Sequence, residues 1–235
     1  DSEMVLSLSA AASRLADSAY HSTPIIHSEL LQKDRPSSSA AAALRALCHA
    51  MVKSPDQKYL GFEGFPAAFG LYLTTLAPSG LHRKSKSGYG FADPDKTVTG
   101  ASLKPAWKVL HSKKEQSLAD VYETWRRAPI GMKNGVMPVL ALAFMLANRQ
   151  SYAVYQDGRF VAELDDIFVD RMLQDPSAIV LRPAGRSEHH LAFLSRLAEA
   201  LNQSDASALT VASAAFQRIE ALSDFAKRTD LVSAD

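Results

Sequence analysis

The sequence predicts a mainly α-helical chain with small β-hairpins, and residues 118–182 carry the clearest part of that prediction. Leu118 to Arg127 is an amphipathic stretch, broken by Ala128-Pro129-Ile130-Gly131. Val136 to Ala147 then runs without one polar residue, as a helix enclosed by protein does. Ser151–Tyr155 and Arg159–Leu164 flank Gln156-Asp157-Gly158, an Asp-Gly turn between β-formers and hence a hairpin. Helix, turn, apolar helix and hairpin in this order describe a winged-helix unit.

The remaining elements follow in chain order. Met4 to Tyr20 places Leu8, Ala12, Leu15 and Ala19 at helical spacing, Thr23-Pro24 interrupts, and Ile25–Gln32 reads as a short second helix. Ser37-Ser38-Ser39 supplies a cap for a helix over Ala40–Lys53, with Ala43, Leu44, Leu47, Ala50 and Met51 on one face and Ser54-Pro55-Asp56 ending it. Gly61-Phe62-Glu63-Gly64-Phe65-Pro66 is a turn-rich link into a helix over Ala67–Leu76, stopped by Pro78-Ser79-Gly80. Leu81-His82-Arg83 and Tyr89-Gly90-Phe91 can pair across Lys84–Gly88, which repeats helix–turn–hairpin more faintly. Lys104 to Leu110 begins a joining helix, in which Trp107 has apolar company and reads as a packing anchor. Asp166–Leu173 is a short helix and Ile179-Val180-Leu181 a strand able to complete the hairpin's sheet. Leu191, Leu194, Leu197 and Leu201, then Leu209, Ala212, Phe216, Ile219 and Leu222, line the two faces of a C-terminal helix pair. The expected organisation is a helical segment over 1–58, winged-helix-like units over 59–112 and 113–184, and the helical hairpin over 185–235.

Composition narrows the class. An apolar fraction of 47% and a mean hydropathy of −0.09 are those of an ordinary globular protein. The longest apolar run, Val136–Ala147, falls well short of the roughly 20 residues of a membrane span. No basic start with an apolar core opens the chain, so no signal peptide is expected. Cys48, the one cysteine, excludes an internal disulfide and any multi-cysteine zinc site; it reads as a small buried hydrophobe and fits a reducing, cytoplasmic setting. The net charge of +1 conceals an asymmetry. Residues 81–149 hold twelve Lys/Arg against five Asp/Glu, whereas 150–235 hold eight against thirteen. Two readings remain open: a polyanion-binding face, or a solvated face whose charges meet the acidic C-terminal part.

A search for chemistry finds little. The phosphate-cradling G-x-x-x-x-G-K-[ST], the G-x-S-x-G elbow, H-E-x-x-H and the D-x-D-x-D-G loop are all absent. His189 and His190 are adjacent and point about 100° apart on a helix, so they cannot grip one metal ion. Glu163, Asp165, Asp166 and Asp170 form the one carboxylate cluster; two acids at a helix start are favoured by the dipole alone. No catalytic residue, metal or cofactor is therefore expected. The remaining candidates are basic: Arg83, Lys84 and Lys86 on the first hairpin, Lys104 and Lys108 on the joining helix, then Lys113, Lys114, Arg126, Arg127 and Lys133. Such residues bind phosphates and release counterions. Against base reading, Val136–Ala147 lacks the Arg, Asn, Gln or Ser of a recognition helix.

Several phrases carry a resemblance across residues 20 to about 232. They include Ser37-Ser38-Ser39-Ala40-Ala41-Ala42-Ala43, Gly61-Phe62-Glu63-Gly64-Phe65-Pro66, Gly80-Leu81-His82-Arg83, Ala128-Pro129-Ile130-Gly131-Met132-Lys133-Asn134-Gly135-Val136-Met137-Pro138 and Val154-Tyr155-Gln156-Asp157-Gly158-Arg159-Phe160-Val161. They are similar to a segment of large bacterial ATP-binding proteins of phage-defence and restriction-like systems. The resemblance implies a helical and winged-helix region downstream of a nucleotide-binding module, a chain that is part of a longer protein, and a DNA-linked setting. ATPase activity does not carry over, because the P-loop is missing. The expected function is a non-catalytic module that contacts double-stranded DNA without sequence preference, or other subunits of the assembly, and no membrane. The alternative is protein–protein scaffolding without nucleic acid.

Overall fold

Helix α6, Met137–Ala147, is the centre of the molecule, and nine of its eleven residues are buried. Leu140, Phe144 and Met145 are 2%, 0% and 1% exposed, as a helix apolar on every side requires. Pro138 sits in its first turn, where a missing N–H costs nothing. The computed structural model describes residues 8–28, 36–184, 195–203 and 208–228. Among them the chain is mainly helical, with two small antiparallel sheets.

Three helices enclose α6: α2 (Ser38–Lys53), α4 (Val98–Leu110) and α5 (Leu118–Arg126). Each starts on a side-chain cap. The hydroxyls of Ser37, Thr97 and Ser117 accept from the backbone N–H of Ala40, Gly100 and Asp120, satisfying donors that a helix start leaves open. The inward face of α2 presents Leu47, Cys48 and Met51, all fully buried. Burial alone pushes the Cys48 thiol up to about 12, so it stays protonated. The native chain should therefore be inert to a thiol-specific reagent and react only on unfolding; fast labelling without denaturant would contradict this packing. Trp107 of α4 meets Phe144 edge-on at 5.2 Å and donates to Asp93 Oδ1 at 3.0 Å, the anchor its sequence setting predicts.

The second sheet is built from β3 (Gln116–Ser117), β4 (Tyr152–Gln156), β5 (Arg159–Phe160) and β6 (Ile179–Pro183), in the order β3-β6-β4-β5. Asp157 (φ 48) and Gly158 (φ 78) form the two-residue tip, and Tyr155 faces Phe160 across it. Strand β6 pairs with β4, Val154 opposite Leu181, so the expected third strand is present. The hairpin's second strand is shorter than the expected Arg159–Leu164. After Val161 N–H reaches Val154 O the chain bends, Leu164 turns into the core, and Asp165 caps α7 (Asp166–Gln174).

Other expectations are corrected. The joining helix begins at Val98, six residues before Lys104, because Thr97 is the true cap; Pro105 lies inside it on the exposed side. Residues 25–28 are not helical: Pro24, Ile26 and Ser28 are buried in alternation with exposed neighbours, an extended strap fixed by Ile25 N–H to Ser102 Oγ at 2.9 Å. Residues 29–32 of that expected helix lie outside the described residues. Helix α3 (Ala67–Thr74) stops short of Leu76, where the Thr74 and Thr75 hydroxyls turn back onto carbonyls of the preceding turn. Helix α1 (Leu8–Ala19) forms at the predicted spacing but buries nothing, and Leu8 and Leu15 stand exposed.

One set of buried side chains runs from Ile26 to Leu181. A separate small cluster joins a helix over 195–200 to α8 (Ala208–Arg228) through Ala198 and Val211, with Leu197 and Leu201 packed on it. The face expected to pack is displaced: Val211 is buried, whereas Phe216 and Ile219 are exposed. Leu191 and Leu194, and the side chains of Leu209 and Leu222, lie outside the described residues.

Candidate nucleic-acid interface

Strands β1 (His82–Ser85) and β2 (Gly88–Phe91) make the first hairpin, with Lys84 opposite Tyr89 and Lys86-Ser87 at the tip. Its base is fastened to the core. Leu81 is buried, and His82 Nε2–H donates to Pro55 O at 3.0 Å while Nδ1 accepts from the Tyr72 hydroxyl at 3.1 Å. Burial lowers the His82 pKa and so favours the neutral ring, and the Pro55 carbonyl, which can only accept, sets the tautomer. Gly80, at φ 66, lies where a Cβ would strike the Asp95 carboxylate, so no other residue allows this entry into β1.

The three hairpin cations have different surroundings. Arg83 turns back, its guanidinium donating to the carbonyls of Gly80 and Asp93. It braces the hairpin and offers little to a ligand. Lys84 and Lys86 are exposed at the tip. The Ser85 hydroxyl donates to Gly88 O at 3.0 Å and accepts from Ser87 N–H at 3.2 Å, closing the turn without using either ammonium.

Lys104 and Lys108 project from the exposed side of α4 one helical turn apart, and Lys113 and Lys114 are exposed in the loop before β3. Glu115, next in sequence, pairs with Arg182 at 2.6 Å. Arg126 is committed to Glu123 and to Asn134 Oδ1. Arg127 and Lys133 are exposed on the turn between α5 and α6. Thus Lys84, Lys86, Lys104, Lys108, Lys113 and Lys114 are exposed, whereas Arg83 and Arg126 serve the fold.

The carboxylate cluster meets α2. Asp170 accepts a two-pronged contact from Arg45 at 2.6 and 2.5 Å and a bond from His49 at 2.8 Å, while Lys53 reaches Asp166 at 2.5 Å. The Arg45 fork first, and His49 second, hold the Asp170 carboxyl far below its ordinary range. Its contribution is therefore complete above its unfolded value of about 3.9 and is lost as pH falls toward the lower native value. Asp170→Asn should lower the melting temperature at neutral pH and reduce the loss on acidification; parallel melting-temperature curves against pH would contradict this. Among the described residues no group of three or more His, Cys, Asp or Glu is placed to hold a metal ion. None of the described helices is long and apolar enough to cross a membrane.

Two features had no clear sequence signal. A cleft of about 460 Å³ lies between the second hairpin and α8, lined among others by Arg149, Phe160, Glu163, Ser213 and Gln217. Around α3, Tyr59, Phe62 and Phe65 each bring a ring to within 6.0 Å of the Phe69 ring. Tyr59 and Leu60 are left-handed at φ 56 and 55, a conformation that costs bulky residues about 1–3 kcal/mol each. Burial of Leu60 at 2% exposure opposes that cost, and Tyr59 is left 40% exposed beneath the Lys58 ammonium, 4.6 Å from the ring centre.

Comparison with family models, curated proteins and solved structures finds no match for this chain.

Proposed function

We propose that this chain is a non-catalytic module of a larger bacterial defence ATPase and that it holds double-stranded DNA by its backbone. The observation that carries the reading is the first hairpin: a core-anchored ribbon whose tip presents Lys84 and Lys86 to solvent. The exposed lysine pairs of α4 and of the loop before β3 extend the same chemistry. Phosphate contacts of this kind position a protein on DNA without reading sequence. Enclosure of α6 supports the absence of base readout, since no polar side chain of that helix exists to enter a groove.

The topology supports a winged-helix reading of the second unit. The order β3, α5, α6, β4 and β6, with β3-β6-β4 as neighbours and β5 and α7 enlarging the wing, lies within the expected 113–184; α4, which those bounds assign to the first unit, precedes it in the place of a first helix. Duplex binding that weakens steeply with salt tests the function. A second reading, docking to other subunits without nucleic acid, is favoured by the apolar side chains left outside, Leu8 and Leu15 on α1 and Phe216 and Ile219 on α8. Salt-insensitive self-association or subunit binding, without DNA binding, would select it.

A further inference from the structure

We infer that the exposed rings of Tyr59 and Phe65, which precede α3 and pack on Phe69, are a stacking platform for the bases of single-stranded nucleic acid. The inference rests on the polyanion reading for its cationic half and goes beyond it in the kind of nucleic acid held.

The patch begins at Phe65, whose ring is 90% exposed although it is apolar and closely precedes α3. Behind it a row of rings passes through the core, where Phe69, Tyr72 and His82 are buried. Phe65 lies 5.8 Å from Phe69, Phe69 stacks on Tyr72 at 6.0 Å, and Tyr72 meets His82 edge-on at 5.7 Å. His82 in turn stacks on Tyr89 at 5.8 Å, and the strand partner of Tyr89 is Lys84. The buried rings thus tie the exposed Phe65 to the hairpin that carries Lys84. Tyr59, beside Phe69, adds a second exposed ring with a cation already over it.

Single-stranded nucleic acid needs flat rings for its bases and cations for its phosphates, close together and without sequence preference. A duplex hides its base faces and would leave Phe65 and Tyr59 unused. An apolar protein partner would use the rings but not the cations. Residues 53–91 hold five Lys/Arg against two acids, Asp56 and Glu63; Lys53 is paired with Asp166 and Arg83 braces the hairpin, which leaves Lys58, Lys84 and Lys86. The acids flank the rings and leave the excess charge at Lys58 and on the hairpin. Charge thus favours an anionic occupant with aromatic faces.

The test uses the whole chain with three labelled probes of about 16 nucleotides, the upper end of common single-strand site sizes: oligothymidine, an abasic strand of equal length, and a duplex. Fluorescence anisotropy should show oligothymidine bound more tightly than the abasic strand. Phe65→Ala, at a site too exposed to unsettle the fold, should weaken oligothymidine about tenfold and leave abasic strand and duplex unchanged. Tyr59→Leu should act in the same direction. Equal binding of oligothymidine and abasic strand, or an oligothymidine affinity that Phe65→Ala leaves untouched, overturns the platform; duplex binding in that case leaves the backbone reading standing. Loss of oligothymidine binding by Phe65→Ala in a chain that never binds duplex keeps the platform and removes the duplex reading. Self-association abolished by Phe65→Ala, with no nucleic acid bound, assigns the patch to protein contact and overturns it too.

Discussion

Phe144→Ala should destabilise the chain by about 3–5 kcal/mol, the range for emptying an aromatic site in a packed core. For a chain of this length each kcal/mol moves the melting temperature by roughly 2–4 °C, so a fall of about 6–20 °C is expected. The size follows from position. Phe144 is fully buried and meets Trp107 of α4, His111 just after α4, and Tyr152 of β4 at 5.2, 4.9 and 5.1 Å, all edge-on. Those partners belong to different elements, so no single one can collapse into the void. Leu140→Ala, at 2% exposure on the same helix, should cost about 2–5 kcal/mol. Thermal denaturation followed by circular dichroism measures both. A Phe144→Ala chain that melts with the parent would mean that α6 is not the enclosed centre of the fold.

The parts of the fold legible in the sequence are those that local chemistry decides. Asp157-Gly158 dictates a two-residue turn wherever it lies between β-formers, and Val136–Ala147 can only be enclosed. The parts that spacing misplaces depend on partners distant in the chain. Ile25–Gln32 has helical spacing, yet residues 25–28 pack as a strap because Ser102 on α4 takes the Ile25 N–H. Val211 is buried in place of Phe216 because α8 rests on the helix over 195–200, a contact that spacing within α8 does not encode. Pro105 has the form of a start signal, but Thr97 has already started the helix, and a proline on an exposed face removes one backbone bond without ending the turn.

The candidate site divides in the same way. The placing of Lys84 and Lys86 at a hairpin tip is legible, since Gly88 and the β-forming Tyr89 mark the turn. The bracing role of Arg83 is not, because its acceptors are carbonyl groups, which any residue type supplies. The pairing of Asp166 and Asp170 with α2 is equally hidden, as it joins side chains more than a hundred positions apart. The place of Tyr59 beside Phe69 depends on the left-handed turn at Tyr59 and Leu60, which no residue type there announces.

The other large effect concerns binding. Lys84→Ala combined with Lys86→Ala should leave stability within about 0.5 kcal/mol, as exposed sites away from the core do, while lowering duplex affinity for every sequence alike. Arg83 is best kept intact in this experiment, since its removal would loosen the hairpin and mix stability with binding. The direct measurement is fluorescence anisotropy of a labelled duplex at about 50 and 200 mM salt, with parent chain and double variant side by side. Backbone binding by the hairpin tip predicts a parent affinity that falls steeply between the two salts. It also predicts a variant whose log–log slope is flatter by about one unit for each phosphate that no lysine neutralises any longer. No parent binding at the lower salt, or a variant that binds with the parent's affinity and slope, would contradict it.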